Sequence, residues 1–238
     1  MADVIASKAP PEGIAARLAA VQRRVAEAAA RAGRDAAAVA LLAVSKRHPA
    51  DAVRAAYAAG QRTFGENYVQ ELALKAEALR ELPGIRWHLI GHLQRNKAKQ
   101  VVPWVTRVSS VDSPRVAEAL SAPAERLGRH VEVLVEVNLA AEASKAGCAP
   151  SELGALLAHI EALPGLKLMG LMAIPPAGQA AELTRGHFEA LAALQREHGG
   201  AARLPELSMG MSDDLELAIE AGSTEVRVGT AIFGARGS

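Results

Sequence analysis

Short runs of β-branched and apolar residues alternate along this chain with longer stretches that are rich in alanine and leucine. The runs have the length and composition of strands buried on both faces, and the longer stretches favour helices. Eight runs are predicted as strands: 39–45, 62–66, 85–91, 105–112, 131–138, 166–174, 204–210 and 224–230. A helix, or the start of one, is predicted after each of them. This alternation is typical of a parallel sheet.

Eight strand–helix units in 238 residues predict a single α/β domain, a (β/α)8 barrel of the TIM type, because such barrels need about 250 residues. An open doubly wound sheet is the alternative. Residues 14–32 predict an additional helix before the first strand, and Gly33 is a typical stop signal for it. No linker interrupts the pattern, so we expect one domain over 1–238 with the barrel over 39–230.

Composition and charge narrow the class of protein. Hydrophobic residues make up 50% and charged residues 22% of the chain, which is typical of a soluble globular protein. The net charge of +1 argues against a dedicated nucleic-acid or membrane-surface protein. Cys148 is the only cysteine, which excludes an internal disulfide. Because the N-terminus has no secretory signal pattern, we expect a cytoplasmic protein.

The active site of such a barrel lies at the carboxyl ends of its strands. Residues predicted there are 46, 65–67, 88–92, 110, 112, 138, 172, 208–212 and 227–230. Lys46 is the most informative of them, because it alone of the seven lysines follows a long apolar strand. Either its stem covers the barrel rim, or burial and nearby cations lower its pKa and leave a reactive amine. A neutral amine can form a Schiff base with an aldehyde.

The end of the last predicted strand is a candidate phosphate site. Arg227 ends this strand, and Gly229 and Thr230 precede a predicted short helical turn. Loops after strands 7 and 8 of barrels often bind phosphate through backbone N–H groups. Ser212 would add a hydroxyl from the neighbouring loop, unless it only caps the helix that follows. An amine, a phosphate site and an arginine together fit pyridoxal 5′-phosphate (PLP).

Seven ordered segments carry a resemblance to a known family: AVSKRHP, GQRTFGENYVQEL, WHLIGHLQRNKAK, VLVEVNLAAEASKAGC, GLMAIPP, LSMGMSDDLELAIEAGS and EVRVGTAIFGAR. From about residue 39 onwards, the chain resembles the pyridoxal phosphate homeostasis protein family. The resemblance implies a PLP-binding barrel similar to the N-terminal domain of bacterial alanine racemase (PLP fold type III). It also implies a part in vitamin B6 and amino-acid homeostasis, with no established catalytic activity.

The resemblance implies eight cofactor-binding residues: Lys46, Asn67, Lys145, Met211, Ser212, Arg227, Gly229 and Thr230. Lys46 would form the Schiff base and Arg227 would face the pyridine nitrogen. Ser212, Gly229 and Thr230 would hold the phosphate. The remaining three would lie beside the cofactor, with Met211 against its ring and Lys145 as a second lysine near the site. The family's loop at 91–97 is also present, and the sequence gives it no role.

Two features favour holding and delivering PLP over catalysis. A cation at the pyridine nitrogen disfavours its protonation, which weakens the ring as an electron sink. Tyr57 and Tyr68, the only tyrosines, fall on early helices, whereas alanine racemase takes a tyrosine base from a second domain. We therefore expect a monomeric PLP carrier without turnover, with PLP-dependent apoenzymes as recipients and Lys145 assisting release.

Three other functions remain open at this stage. The chain could be a racemase-like PLP enzyme with weak activity, or an aldolase-like barrel in which Lys46 binds a sugar-phosphate carbonyl. Nucleic-acid binding through Arg95, Lys97 and Lys99 is disfavoured by the near-neutral charge and the absence of interleaved aromatic residues. No metal-ligand spacing is present among the histidines, so no metal is expected.

Overall fold

The computed structural model describes residues 13–140 and 146–235, and its centre is a closed barrel of eight parallel strands. The strands β1 to β8 are Ala40–Val44, Thr63–Glu66, Arg86–Leu89, Arg107–Val111, Val131–Glu136, Leu166–Met172, Glu206–Ser208 and Glu225–Val228. They follow one another around the barrel in chain order, and β1 pairs with β8. The predicted (β/α)8 barrel is confirmed, and the open-sheet alternative is wrong because this last pairing closes the sheet.

The described residues form ten α-helices, of which the first precedes the barrel and the others follow its strands. Helices α1 to α10 are Ile14–Arg31, Ala50–Ala58, Val69–Ala78, Ala98–Val101, Pro114–Arg126, Leu153–Glu161, Ala181–Glu197, Gly200–Arg203, Leu215–Glu220 and Thr230–Phe233. The helical start predicted after β3 is the four-residue helix α4, and its bounds were not predicted because a single turn is too short to show helical periodicity. None of the described helices is both long and apolar enough to cross a bilayer.

Helix α1, which precedes the barrel, is attached to the helices that follow the last two strands. Arg24 Nε donates to Glu216 Oε1 of α9 at 2.8 Å, and Arg24 Nη2 donates to the Ser212 carbonyl at 2.9 Å. Arg17 Nε donates to the Ile232 carbonyl of α10 at 2.7 Å. Since the phosphate-site loops were predicted next to α9 and α10, α1 supports that side of the barrel.

The amino-terminal half of the barrel interior holds a buried cluster of charges. Arg107 of β4 binds Glu132 at 2.7 Å, contacts Glu206, and lies 3.4 Å from Glu225 Oε2. His88 Nδ1 lies 3.4 Å from the same Glu225 oxygen. The prediction that His88 lies at the carboxyl end is therefore wrong, because its side chain points into a deeper layer of the barrel.

The charge of Glu225 stabilises the fold in a pH-dependent way. Burial alone would raise the pKa of Glu225, but His88, Arg107 and a hydrogen bond from Ser208 lower it to about 2. A folded-state pKa below the ordinary 4.5 adds stability that is complete above pH ~4.5 and is lost as pH falls towards 2. We expect Glu225→Gln to lower the free energy of unfolding by about 3 kcal/mol at pH 7.

Urea denaturation at several pH values tests this expectation. The difference between Glu225→Gln and the parent should shrink as pH falls from about 4.5 towards 2, where the parent carboxylate also becomes protonated. Glu189→Gln, at an exposed position on α7, is the matched control and should change stability by less than about 0.5 kcal/mol. A Glu225→Gln protein as stable as the control at pH 7 would contradict the argument.

Candidate cofactor site

A cavity of about 290 Å³ opens at the carboxyl ends of the strands. It is lined by Val44, Lys46, His48, Asn67, Ile90, Ile174, Met211, Ser212, Asp213, Arg227, Gly229 and Thr230. Seven of the eight residues predicted to bind the cofactor thus lie around one space. The eighth, Lys145, lies outside the described residues.

Lys46 leaves β1 on a constrained piece of backbone. The amide of Ser45 donates to the Gly65 carbonyl of β2 at 3.0 Å, and the amide of Arg47 donates to Glu71 Oε1 at 2.5 Å. Arg47 has φ of 61°, the only positive value among the described non-glycine residues. Positive φ is unfavourable for a side chain with a Cβ, so surrounding contacts must hold this turn. The result is that the half-buried Lys46 side chain faces the cavity.

A buried ion cluster behind the strands provides those contacts. Lys75 Nζ of α3 donates to the Ser45 carbonyl, Glu66 Oε1 and Glu71 Oε1, each at 2.7 Å. Ser45 Oγ also donates to Glu66 Oε1 at 2.6 Å. Burial raises the pKa of Glu66, while Lys75 and Ser45 oppose that rise. We call Ser45, Glu66, Glu71 and Lys75 the Lys75 cluster.

The position of Glu66 corrects the sequence-based interpretation. Residues 65–67 were predicted at the site, but the carboxylate of Glu66 points away from the cavity towards Lys75 on α3. Adjacent residues of a strand face opposite sides of the sheet, so the Glu66 side chain faces the side opposite to that of its neighbours. Its role is to hold the backbone that presents Lys46.

Arg227 lies at the floor of the cavity with its guanidinium held in place. Its Nη1 donates to the Ser208 carbonyl at 2.6 Å and to Ser208 Oγ at 2.9 Å, and its Nη2 donates to the Ala173 carbonyl at 3.0 Å. Burial lowers the pKa of Arg227, partly opposed by nearby acids that include Glu225. Ser208 Oγ also donates to Glu225 at 2.7 Å, which connects the site to the buried charge cluster below.

Ser212 lies at the cavity without capping a helix. Helix α9 begins at Leu215 and is preceded by Asp214, whose Oδ1 accepts the Met211 amide at 2.6 Å. The alternative interpretation of Ser212 as an N-cap is therefore wrong. Its carbonyl is held by Arg24 of α1, and the residue lines the cavity.

Gly229 and Thr230 form the turn that leads from β8 into α10. The Gly229 carbonyl accepts the amides of Ile232 and Phe233, each at 2.9 Å. A Cβ on Gly229 would come within 3.1 Å of the Val44 carbonyl of β1. The glycine therefore permits close packing of the first and last strands at the cavity edge, a reason that the sequence did not reveal.

Asn67 presents an unsatisfied acceptor. Its side-chain oxygen Oδ1 is buried and has no hydrogen-bond partner among the described residues. A Cβ on Gly91 would lie 2.3 Å from the Asn67 carbonyl, so only glycine allows this approach. Ser110 Oγ holds the Gly91 carbonyl at 2.7 Å. The 91–97 loop thus has at least one role, which is to position Asn67.

Sequence reasoning missed part of the lining. Val44 and Ile174 supply apolar walls together with Ile90, which falls within the predicted 88–92, and His48 packs against Phe233 with ring centroids 5.2 Å apart. Motif context was the available signal: His48 follows Lys46 by two positions in AVSKRHP, and Ile174 lies within GLMAIPP. These motifs were recognised as segments, but their individual residues were not assigned to the site.

The tyrosines lie outside the cavity. Tyr57 Oη donates to the Pro83 carbonyl at 2.9 Å, and Tyr68 is 48% exposed, with its hydroxyl 3.5 Å from Arg47 Nη2. Neither lines the cavity. Within the described residues, no tyrosine is therefore placed to act as a base at this site.

Comparison of the chain with known proteins identifies its family. Residues 16–237 match the family of alanine racemase N-terminal domains. The chain is 47% identical over 234 residues to the pyridoxal phosphate homeostasis protein of Pseudomonas aeruginosa, with 94% of this chain and 96% of that protein covered. This chain belongs to the pyridoxal phosphate homeostasis protein family. The resemblance drawn from the sequence motifs is confirmed.

Further relatives and solved structures agree with this placement. The human protein is 43% identical over 241 residues, covering 94% of this chain and 87% of its own length. PipY of Synechococcus elongatus, solved with PLP bound, is 43% identical and superposes with a TM-score of 0.81, covering 93% of this chain and all of that one. Alanine racemase of Corynebacterium glutamicum, at 18% identity and a TM-score of 0.66, shares the fold over 93% of this chain and 61% of its own.

Proposed function

We propose that this protein binds PLP in the Lys46 cavity and serves intracellular PLP homeostasis by holding and delivering the cofactor. One observation carries the proposal: an amine, a fixed guanidinium and two hydroxyls line a single cavity of about 290 Å³ at the barrel's carboxyl end. Membership of the pyridoxal phosphate homeostasis protein family and the PLP-bound structure of PipY support the same conclusion.

The residues present fit the chemistry of the group. Bound PLP supplies an aldehyde that condenses reversibly with a primary amine, and Lys46 provides that amine. The Ser212 and Thr230 hydroxyls and the backbone at Gly229 are placed to hold a phosphate at the end of β8. The buried, unsatisfied Asn67 Oδ1 calls for a donor from a ligand, because buried polar atoms are rarely left unpaired.

The restraint on Arg227 favours holding the cofactor over catalysis. Three hydrogen bonds to Ser208 and Ala173 keep its guanidinium in one orientation, and an arginine has no acceptor atom to offer a protonated ring nitrogen. In this proposal Arg227 donates to the pyridine nitrogen and keeps it unprotonated. The ring would then withdraw electrons weakly, which disfavours chemistry that passes through a carbanion.

The remaining parts of the proposal come from the sequence. PLP-dependent apoenzymes are the recipients, the protein acts as a cytoplasmic monomer of one domain, and Lys145 assists release. A recipient supplies its own lysine amine, so delivery needs only an exchange of amines on the cofactor and no oxidant or reductant.

An absorbance spectrum of the purified protein, before and after addition of PLP, tests the proposal. We expect a yellow protein, and after borohydride reduction we expect peptide mass mapping to find a pyridoxyl group on Lys46. A protein that stays colourless with excess PLP would overturn the proposal. A reduced adduct on another lysine would leave PLP binding in place and refute the role of Lys46.

A further inference from the structure

A second cavity, of about 350 Å³, adjoins the Lys46 cavity. Ile174 and Met211 line both cavities and separate them. The second cavity lies over the ends of β5 and β6, and its walls are largely apolar, with Leu139, Pro175 and Pro176 among them. The proposed roles at the Lys46 cavity make no use of this space.

Among the described residues, one carboxylate faces this largely apolar space, whose other polar lining residues are Asn138 and His187. Glu136, the last residue of β5, is only 8% exposed and lines the second cavity. Its carboxylate accepts no hydrogen bond from any residue that the structure describes. The positive charge that acts on it, Arg227, already donates three hydrogen bonds to Ser208 and Ala173. A buried carboxylate in this position is costly unless a partner binds it.

We propose that the second cavity binds an aliphatic primary amine, with Glu136 as the counter-ion of the ammonium group. The apolar walls match the methylene chain of such a ligand, and the carboxylate matches its charged end. Among residues 13–140 and 146–235, the cavity lining holds the Glu136 carboxylate and no lysine or arginine, and this charge balance favours an ammonium group over the added carboxylate of an α-amino acid. The ligand class is therefore an alkylamine or the side chain of a lysine.

This inference extends the proposed function, on which its biological meaning rests. An amine bound beyond Ile174 and Met211 lies next to the cavity in which the cofactor's aldehyde would be held. Amines are the compounds to which an aldehyde can be passed. The second cavity would thus bind the receiving amine before it reacts with the cofactor.

The charged groups around Glu136 determine how binding depends on pH. Asp112 at the end of β4 repels its negative charge and Arg227 of β8 attracts it, while Cys148 and His187 face it from the loop before α6 and from α7. Burial and Asp112 raise the pKa of Glu136 to about 7, and burial raises the pKa of Cys148 to about 12. Because an alkylammonium stays charged up to about pH 10, binding should strengthen from pH 6 to pH 8.

The test uses n-pentylamine and norleucine as probes of the full-length protein after borohydride treatment, with binding followed by NMR line shifts. We expect n-pentylamine to bind at least about tenfold more tightly than norleucine, and Glu136→Gln to weaken n-pentylamine by about tenfold. Glu182→Gln, on an exposed position of α7, is the control and should bind like the parent. Equal binding of the two probes, or an unchanged Glu136→Gln protein, would overturn the proposal.

Further arms separate the ligand's source and the two proposals. If a blocked lysine peptide binds as n-pentylamine does, the source is a protein lysine; if only n-pentylamine binds, it is a free amine, and both outcomes uphold the site. The probe comparison in the parent protein needs no variant, so a folding defect cannot obscure it. Amine binding in a protein that takes up no PLP would refute the proposed function alone, while PLP binding without amine binding would refute this inference alone.

Discussion

A Lys46→Ala protein is expected to lose covalent attachment of PLP and to bind it at least about 100-fold more weakly, equivalent to ~2.7 kcal/mol. Lys46 is the only lysine among the described residues that line the cavity, so no other described amine is placed to replace it. The phosphate contacts at Ser212, Gly229 and Thr230 would remain, and weak non-covalent binding should survive. Equilibrium dialysis with PLP, with and without borohydride reduction, measures both effects.

One further variant separates the amine of Lys46 from its charge, and a second variant is the control. Lys46→Arg keeps a cation but cannot form a Schiff base, so it should also yield no reduced adduct. Lys97→Ala removes a lysine from the 91–97 loop outside the cavity and should behave like the parent. A stable reduced adduct in the Lys46→Ala protein would show that another lysine carries the cofactor, and would refute the assignment.

The barrel could be predicted because runs of β-branched and apolar residues alternate with helical stretches, which is typical of parallel strands buried on both faces. Every observed strand lies inside its predicted run and is shorter than it, as with Arg86–Leu89 within 85–91. The outer residues of these runs leave the ladder at the barrel rims and enter loops. Apolar composition alone does not distinguish a residue of the strand ladder from a buried loop residue, so the predicted runs extended beyond the ends of the strands.

The site was predictable to the extent that chain order places strand ends together. Lys46 and Arg227 stand far apart in sequence, yet β1 pairs with β8 and brings them to one cavity. The direction of a side chain was not read from that order. His88 lies in a deeper layer of the barrel interior, beside Glu225 at the start of β8. Glu66 points to α3, because alternation along a strand decides which face a residue occupies.

Contacts between distant elements were beyond sequence reasoning. Lys75 lies 30 residues after Ser45 on a helix whose pattern shows only an amphipathic surface, and nothing local marks it as buried. Glu136 reads as the polar end of an apolar strand, and only the closed barrel places it over a cavity. Both residues are buried charged groups, and a sequence pattern does not show which charged residues the fold will bury.

Lys75→Met is expected to lower the free energy of unfolding by about 3–5 kcal/mol at pH 8. The substitution leaves the fully buried carboxylate of Glu66 without its ammonium partner and removes the hydrogen bond to the Ser45 carbonyl. Without Lys75, burial raises the pKa of Glu66 further above the unfolded value, and only the hydrogen bond from Ser45 still opposes that rise. The unpaired charge then costs stability as pH rises above about 4.5, so the loss should be smaller at pH 5 than at pH 8.

Urea denaturation of single and double variants identifies the cause of that loss. Adding Glu66→Gln to Lys75→Met should recover part of the stability, because no uncompensated charge then remains in the core. Lys99→Met, an exposed lysine on α4, is the control and should change stability by less than about 0.5 kcal/mol. A double variant less stable than Lys75→Met alone would contradict the ion-pair argument.

The Lys75 cluster holds the peptide groups on both sides of Lys46, through the Ser45 carbonyl and the Arg47 amide. The double variant should therefore regain stability without regaining the parent's rate of PLP capture. That rate, followed by absorbance, separates the stability of the fold from the placement of its amine.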